Sequence, residues 1–273
     1  MNRIAVVQMN STDDPFVNLR AARTLLEQAA QQGAKLAVLP ENFAFMGARD
    51  TDKLAHRESE GDGAIQHFLS TTAAELKLTI VAGTIPLAVT DKPDKVYAAN
   101  LVFDAWGQCI ARYDKIHLFD VEVQTDAQTE RYRESASIEY GAPYPVTVQT
   151  AAGTLGLSVC YDLRFPELYR SLAVRGAQIL CVPSAFTEKT GEAHWDILLR
   201  ARAVENLCYV AAANQCGTHA GGRRTWGRSC IISPWGEVLA ACGTEPGMVV
   251  ADIDLEQLAQ TRSRFPSLTH RRL

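Results

Sequence analysis

The chain has 273 residues, 47% of them hydrophobic and 21% charged, with a formal net charge of −4. That balance suits a globular chain long enough to bury one large core, and without a basic stripe it argues against nucleic acid as a partner. No run approaches the roughly 18 apolar residues of a membrane span.

In chain order, the opening residues turn polar too early for a signal peptide, and 4–9 reads as a first strand. A helix begins at Pro15, with Leu19, Ala22, Leu26 and Ala29 on one face, and stops at Gly33. Further strands are expected at 36–40, 79–86, 98–104, 109–116, 146–149, 155–160, 179–183, 208–213, 229–233, 238–241 and 248–253. Further helices should begin at Asp62, Pro166, Gly191 and Leu255. Ala105-Trp106-Gly107-Gln108 and Pro234-Trp235-Gly236-Glu237 have the turn residues of hairpins. The stretch 122–145 is polar, turn-rich and long enough to be a functional loop that closes over a site. With no linker in sight, 1–273 reads as one α/β domain.

One segment repeats. Gly33-Ala34-Lys35-Leu36-Ala37-Val38-Leu39-Pro40-Glu41 aligns with Gly176-Ala177-Gln178-Ile179-Leu180-Cys181-Val182-Pro183-Ser184. In each a helix ends at glycine and a buried strand follows, which suggests two related halves, although helix–Gly–strand–Pro is also common grammar. Where chemistry would sit the copies differ, with Glu41 in one and Ser184 in the other. A carboxylate just past a buried strand needs a partner.

Seven cysteines with no CxxC pair predict a reducing, cytoplasmic setting without a disulfide framework. Six of them mostly lie in apolar runs. Cys160 instead closes a strand and precedes the turn Tyr161-Asp162-Leu163-Arg164-Phe165-Pro166. A thiol held there has amide N–H groups beside it, although a buried structural cysteine fits the fragment as well. Lys115, in Tyr113-Asp114-Lys115-Ile116-His117, needs an anionic partner if it is buried, and otherwise reads as a surface lysine. His117, His194 and His219 lack metal-binding spacing, so no metal or other cofactor is expected. A Cys160–histidine pair is a competing arrangement.

Taken with Leu39-Pro40-Glu41-Asn42-Phe43, these fragments resemble the nitrilase superfamily of carbon–nitrogen hydrolases over essentially the whole chain. The resemblance implies a four-layer α-β-β-α sandwich with two pseudo-twofold related halves. It implies Glu41, Lys115 and Cys160 as catalytic residues, with Glu134 as a supporting carboxylate, Glu130 and Glu139 being nearby alternatives. The Tyr161 backbone N–H and Lys115 would hold an oxyanion, and an amide would be cleaved to acid and ammonia through a thioester. Cys160-Tyr161-Asp162-Leu163-Arg164-Phe165-Pro166-Glu167-Leu168 and Pro183-Ser184-Ala185-Phe186-Thr187 are most similar to the Nit branch. That likeness implies a small anionic amide: deaminated glutathione, or alternatively 2-oxoglutaramate or 2-oxosuccinamate. Arg164 is the candidate for the substrate carboxylate, equally open to a structural pair with Asp162 or Glu167, with Phe186 and Thr187 lining the pocket. A homodimer or larger homo-oligomer is expected, with Trp226 and Trp235 as possible contacts. A catalytically silent binding member of the family is the other class.

Overall fold

Alternation in the first strand, β1 (Asn2–Gln8), sets the layers. Ile4 and Val6 face one side and Ala5 and Val7 the other, as a two-residue period requires, and all four are fully buried. Ile4 and Val6 pack into a core shared with Leu155, Leu157 and Ile179 of the second half. Ala5 and Val7 pack with Ala22, Leu26 and Ala29 of the first helix. The strand is therefore covered by a sheet on one face and a helix on the other. The computed structural model describes residues 2–124 and 129–272.

The first half continues with α1 (Pro15–Gln31), β2 (Leu36–Val38), α2 (Ala64–Leu76), β3 (Thr79–Val81), β4 (Ile85–Val89), β5 (Lys92–Phe103) and β6 (Cys109–Asp114). Helix α1 starts where Asp14 accepts the Phe16 N–H at 2.9 Å and Pro15 takes the first helical position. A hairpin follows, β7 (Asp120–Gln124) with β8 (Thr129–Arg133). The second half comprises β9 (Thr147–Thr150), β10 (Gly153–Leu157), α3 (Pro166–Val174), β11 (Ile179–Ser184), α4 (Glu188–Asn206) and β12 (Tyr209–Asn214). A small hairpin, β13 (Cys216–Thr218) with β14 (Arg224–Trp226), precedes β15 (Cys230–Ile232), β16 (Val238–Ala241), β17 (Gly247–Ile253) and α5 (Leu255–Arg264).

Two sheets result. One runs β17-β1-β2-β3-β5-β4 with β6 on β5, and the other runs β16-β15-β12-β11-β10-β9. They pack face to face between helical layers, which is the expected α-β-β-α sandwich. Strand β17 returns from the end of the chain to pair antiparallel with β1, stitching the halves together.

The repeated segment is a repeat in three dimensions. Gly33 and Gly176 both take positive φ, at 82° and 91°. The amides of Ala34 and Ala177 reach back to Ala29 and Leu172, closing helices α1 and α3 with the same Schellman bond. Each then enters a parallel strand, β2 beside β1 and β11 beside β10.

Several boundaries differ from the sequence expectation. The run 79–86 is two strands, broken at Gly83, where φ is 61° and a Cβ would lie 1.9 Å from the Pro40 carbonyl oxygen. Helix α2 starts at Ala64 rather than Asp62, and α4 at Glu188 rather than Gly191. Gly191 lies inside α4, where a Cβ would collide with Trp226. Trp226 thus packs within the chain, whereas Trp235 is 69% exposed and meets Phe265 edge to face. The stretch 122–145, expected as loop, holds most of the β7–β8 hairpin and a 3-10 turn, Glu134–Ala136; its residues 125–128 lie outside the described residues. Among the described residues no helix is long and apolar enough to cross a membrane.

Candidate active site

Strand ends converge where the two halves meet. Glu41 follows β2 by three residues, on a turn that Gly83 approaches closely enough to exclude any side chain of its own. Its Oε1 lies 2.8 Å from Lys115 Nζ and its Oε2 accepts the Ala185 N–H at 2.9 Å. Gln215 Nε2 donates to the Glu41 carbonyl at 3.0 Å, so side chain and backbone are both fixed from the second half. Lys115, just past β6, has no exposed surface. Its ammonium also donates to both Glu134 oxygens, at 2.8 and 3.0 Å.

Glu134 opens the 3-10 turn after β8 and accepts the Phe119 N–H at 2.8 Å. Of the three nearby glutamates it alone touches Lys115. Glu130 accepts from the Tyr132 hydroxyl, and Glu139 pairs with Lys92 at the surface. The resemblance favours Glu134, and the 3-10 turn that it opens after β8 brings it to Lys115, whereas Glu130 lies on β8 and Glu139 beyond the turn.

Cys160 is not on the strand that was expected to end with it. Strand β10 stops at Leu157, and Cys160 opens a 3-10 turn with φ of 46°, a left-handed conformation that costs a β-substituted residue on the order of 1–2 kcal/mol. Asp162, fully buried, holds the turn. Its carboxylate accepts the Val159 N–H at 2.8 Å, the Tyr113 hydroxyl at 2.7 Å and the His117 N–H at 3.2 Å, with His117 Nδ1 at 2.7 Å. The Tyr161 N–H is left without an internal acceptor among the described residues.

Charge in the cluster follows from burial. Loss of solvent opposes the Lys115 ammonium, but Glu134 and Glu41 more than offset this and hold its pKa well above the ordinary value. Burial acts against the Glu134 anion too, yet Lys115 and then Lys53 outweigh it and set its pKa below normal. Burial and the Glu41 charge push the Cys160 thiol well up, with Lys115 pulling the other way. The resting site is therefore a protonated thiol beside a charged lysine, and deprotonation needs a base.

Glu134→Gln tests that electrostatic picture. With its folded pKa below the unfolded value, Glu134 contributes stability that is complete above about pH 4.3 and is lost as pH falls through the folded pKa. Urea unfolding at pH 7 should find the variant about 2 kcal/mol less stable, a gap that narrows on acidification to pH 3. An equal gap at both pH values would show that the charge is not what matters.

The cleft beside the cluster is open to solvent and is lined by Phe119, Glu134, Cys160, Tyr161, Phe186 and Arg223, among others. Thr187 also lines it. Arg164 stands outside the lining, half-exposed, its guanidinium 5.6 Å from the Phe186 ring centre and 3.3 Å from His194 Nδ1. No ion pair joins it to Asp162 or Glu167 among the described residues. His117 is committed to Asp162 and stacked on Phe165, and His219 to Ser11 and Thr225. Among the described residues no group of His, Cys, Asp and Glu is placed to hold a metal ion.

Comparison with known proteins agrees with this construction. The carbon–nitrogen hydrolase family model matches residues 3–263. A protein named deaminated glutathione amidase from Synechocystis sp. is 46% identical over 268 residues, covering 98% of this chain and 97% of that one. The crystal structure of the NitFhit protein of Caenorhabditis elegans superposes with a TM-score of 0.91 at 37% identity, over 99% of this chain and 65% of that longer one. Saccharomyces cerevisiae Nit3, described as a member of branch 10 of the nitrilase superfamily, gives a TM-score of 0.86 at 31% identity, over 97% and 94% of the two chains. Fold and sequence thus lead to one conclusion: the chain belongs to the carbon–nitrogen hydrolase family, within the nitrilase superfamily.

Proposed function

We propose that the protein is a thiol-dependent amidase whose substrate is the amide of a small carboxylate, deaminated glutathione. The observation that carries the reading is a fully buried lysine held between two buried carboxylates beside a strained cysteine. Such a cluster is costly to fold and suits charge developing in a transition state. The name carried by the Synechocystis relative supports the substrate.

Cys160 Sγ attacks the amide carbon while the Glu41 carboxylate takes the thiol proton. The oxyanion that forms is held by the Lys115 ammonium and the free Tyr161 N–H. Glu134 keeps the ammonium aligned and balances its charge. When the C–N bond breaks, Glu41 returns the proton to the departing nitrogen and a thioester remains. Glu41 then takes a proton from water, the resulting hydroxide attacks the thioester, and the proton goes back to sulfur as the acid leaves. In deaminated glutathione the amide nitrogen belongs to cysteinylglycine, so that dipeptide leaves as an amine; ammonia is the product only with a primary amide. Phe186 and Thr187 form part of the pocket wall. The chain acts as one catalytic domain in the cytoplasm, free of nucleic acid, metal and cofactor. It assembles as a homodimer or larger, a reading supported by the exposed apolar residues Trp235 and Phe265.

The experiment is to follow products by mass spectrometry from deaminated glutathione, 2-oxoglutaramate and butyramide. Release of cysteinylglycine and 2-oxoglutarate at the highest kcat/KM is expected. Faster cleavage of 2-oxoglutaramate would move the substrate to the ω-amidase type with the chemistry intact. No turnover of any of the three would favour the catalytically silent class.

A further inference from the structure

Two neighbouring arginines behave differently. Arg224 reaches Glu188 at 2.7 Å on the surface. Arg223 lines the cleft, and among the described residues no carboxylate lies within ion-pair distance of it. Of the five N–H donors on its guanidinium, one makes a long contact of 3.5 Å with the Ala185 carbonyl. Its Nε is buried without any acceptor, and the group lies 5.1 Å from the Tyr132 ring centre. The Glu134 carboxylate on the same wall is already taken by Lys115 and the Phe119 N–H. Buried donors left open are unfavourable until something fills them.

The backbone here is fixed even though the side chain is not satisfied. The His219 N–H donates to the Arg223 carbonyl at 2.8 Å, and both His219 ring nitrogens are engaged. Gly221, at φ of 75°, lets the turn settle against Ala48. Ala185 gives its N–H to Glu41 and its carbonyl to Arg223, so one residue spans from the cluster to the guanidinium.

We propose that Arg223 is the specificity-determining cation of the site, binding the carboxylate at the acyl end of the substrate through the guanidinium donors that no other described residue occupies. The inference rests on the reading of the substrate as an amide of a small carboxylate. Arginine suits the task because its planar fork meets a carboxylate with two parallel N–H···O bonds. A substrate held there has its amide a few atoms away, at Cys160. An amide without the carboxylate would leave the guanidinium open and bind less well.

The test uses protection rather than turnover, so that it stands apart from the substrate assay. Alkylation of Cys160 by neutral iodoacetamide is followed by mass spectrometry of its peptide, with increasing 2-oxoglutarate as the protecting acid. In Arg223→Met the half-protecting concentration should rise at least tenfold, as expected for losing a charge-assisted pair. The unprotected rate should be unchanged, and Arg223→Lys should recover part of the protection. Undiminished protection in Arg223→Met, or no protection of the wild type, would overturn the proposal. So would a larger loss of protection in Arg164→Met, or an equal change in the unprotected rate, which would mark a structural role. Arg223-dependent protection by cysteinylglycine in place of 2-oxoglutarate would overturn the assignment to the acyl end. A wild type that is protected yet cleaves no amide would keep Arg223 as an acid-binding cation and remove the proposed substrate instead.

Discussion

Cys160→Ala should abolish amide hydrolysis, lowering kcat by roughly 10⁴-fold or more, as removing a nucleophile that works as a unit with its neighbours does. The fold should survive. Alanine tolerates the left-handed φ of 46° no worse than cysteine, and the turn is held by Asp162 rather than by the sulfur. Unfolding should therefore shift by no more than about 1 kcal/mol, since few contacts are removed. Single-turnover assays with enzyme in excess over substrate would read the loss directly, and mass spectrometry should find the acyl adduct on the wild type only. Substantial turnover by Cys160→Ala would remove the thioester route altogether.

Lys115→Met should lose both activity and stability, and the two losses can be separated. The substitution keeps the stem but takes the cation from between Glu41 and Glu134, leaving two buried carboxylates that repel each other. Breaking a buried pair in this way costs about 3–5 kcal/mol. Activity should fall by about 10³-fold or more, because the oxyanion loses its charged donor. Adding Glu134→Gln removes one of the uncompensated charges. The double variant should regain much of the stability in urea unfolding and none of the turnover. A double variant that regained turnover as well would mean that Lys115 only holds the fold together. A mild Lys115→Met would favour a cysteine–histidine arrangement, against which stand the commitments of His117 to Asp162 and of His219 to Ser11 and Thr225.

What could be read from residue order and what could not divide along physical lines. Local rules carried the layers. The two-residue period of β1, the apolar stripe and proline–glycine bounds of α1, and the paired glycines at 33 and 176 each depend on a few adjacent residues, and all reappear in the structure. The same locality explains why Cys160 could be singled out at a strand exit. Boundaries differ where distant residues pack in. Strand 79–86 breaks at Gly83 because the Pro40 carbonyl packs against it, and Gly191 sits inside α4 because Trp226 lies on it.

The inner face of the site was even less legible. Glu134 is set apart from Glu130 and Glu139 by the 3-10 turn that follows β8, and Asp162 holds the cysteine turn through Tyr113 and His117, some 45 to 49 residues earlier. Arg164 sits close to the cysteine in sequence, whereas Arg223, 63 residues beyond Cys160, is the arginine that lines the cleft. By itself, then, the sequence determined the strand and helix grammar, the doubled architecture and the residue types that carry the chemistry, because these follow from local periodicity and side-chain character. Only the tertiary structure decided which charges are buried together and which donors stay open, because burial and pairing depend on segments that meet in space and are far apart along the chain.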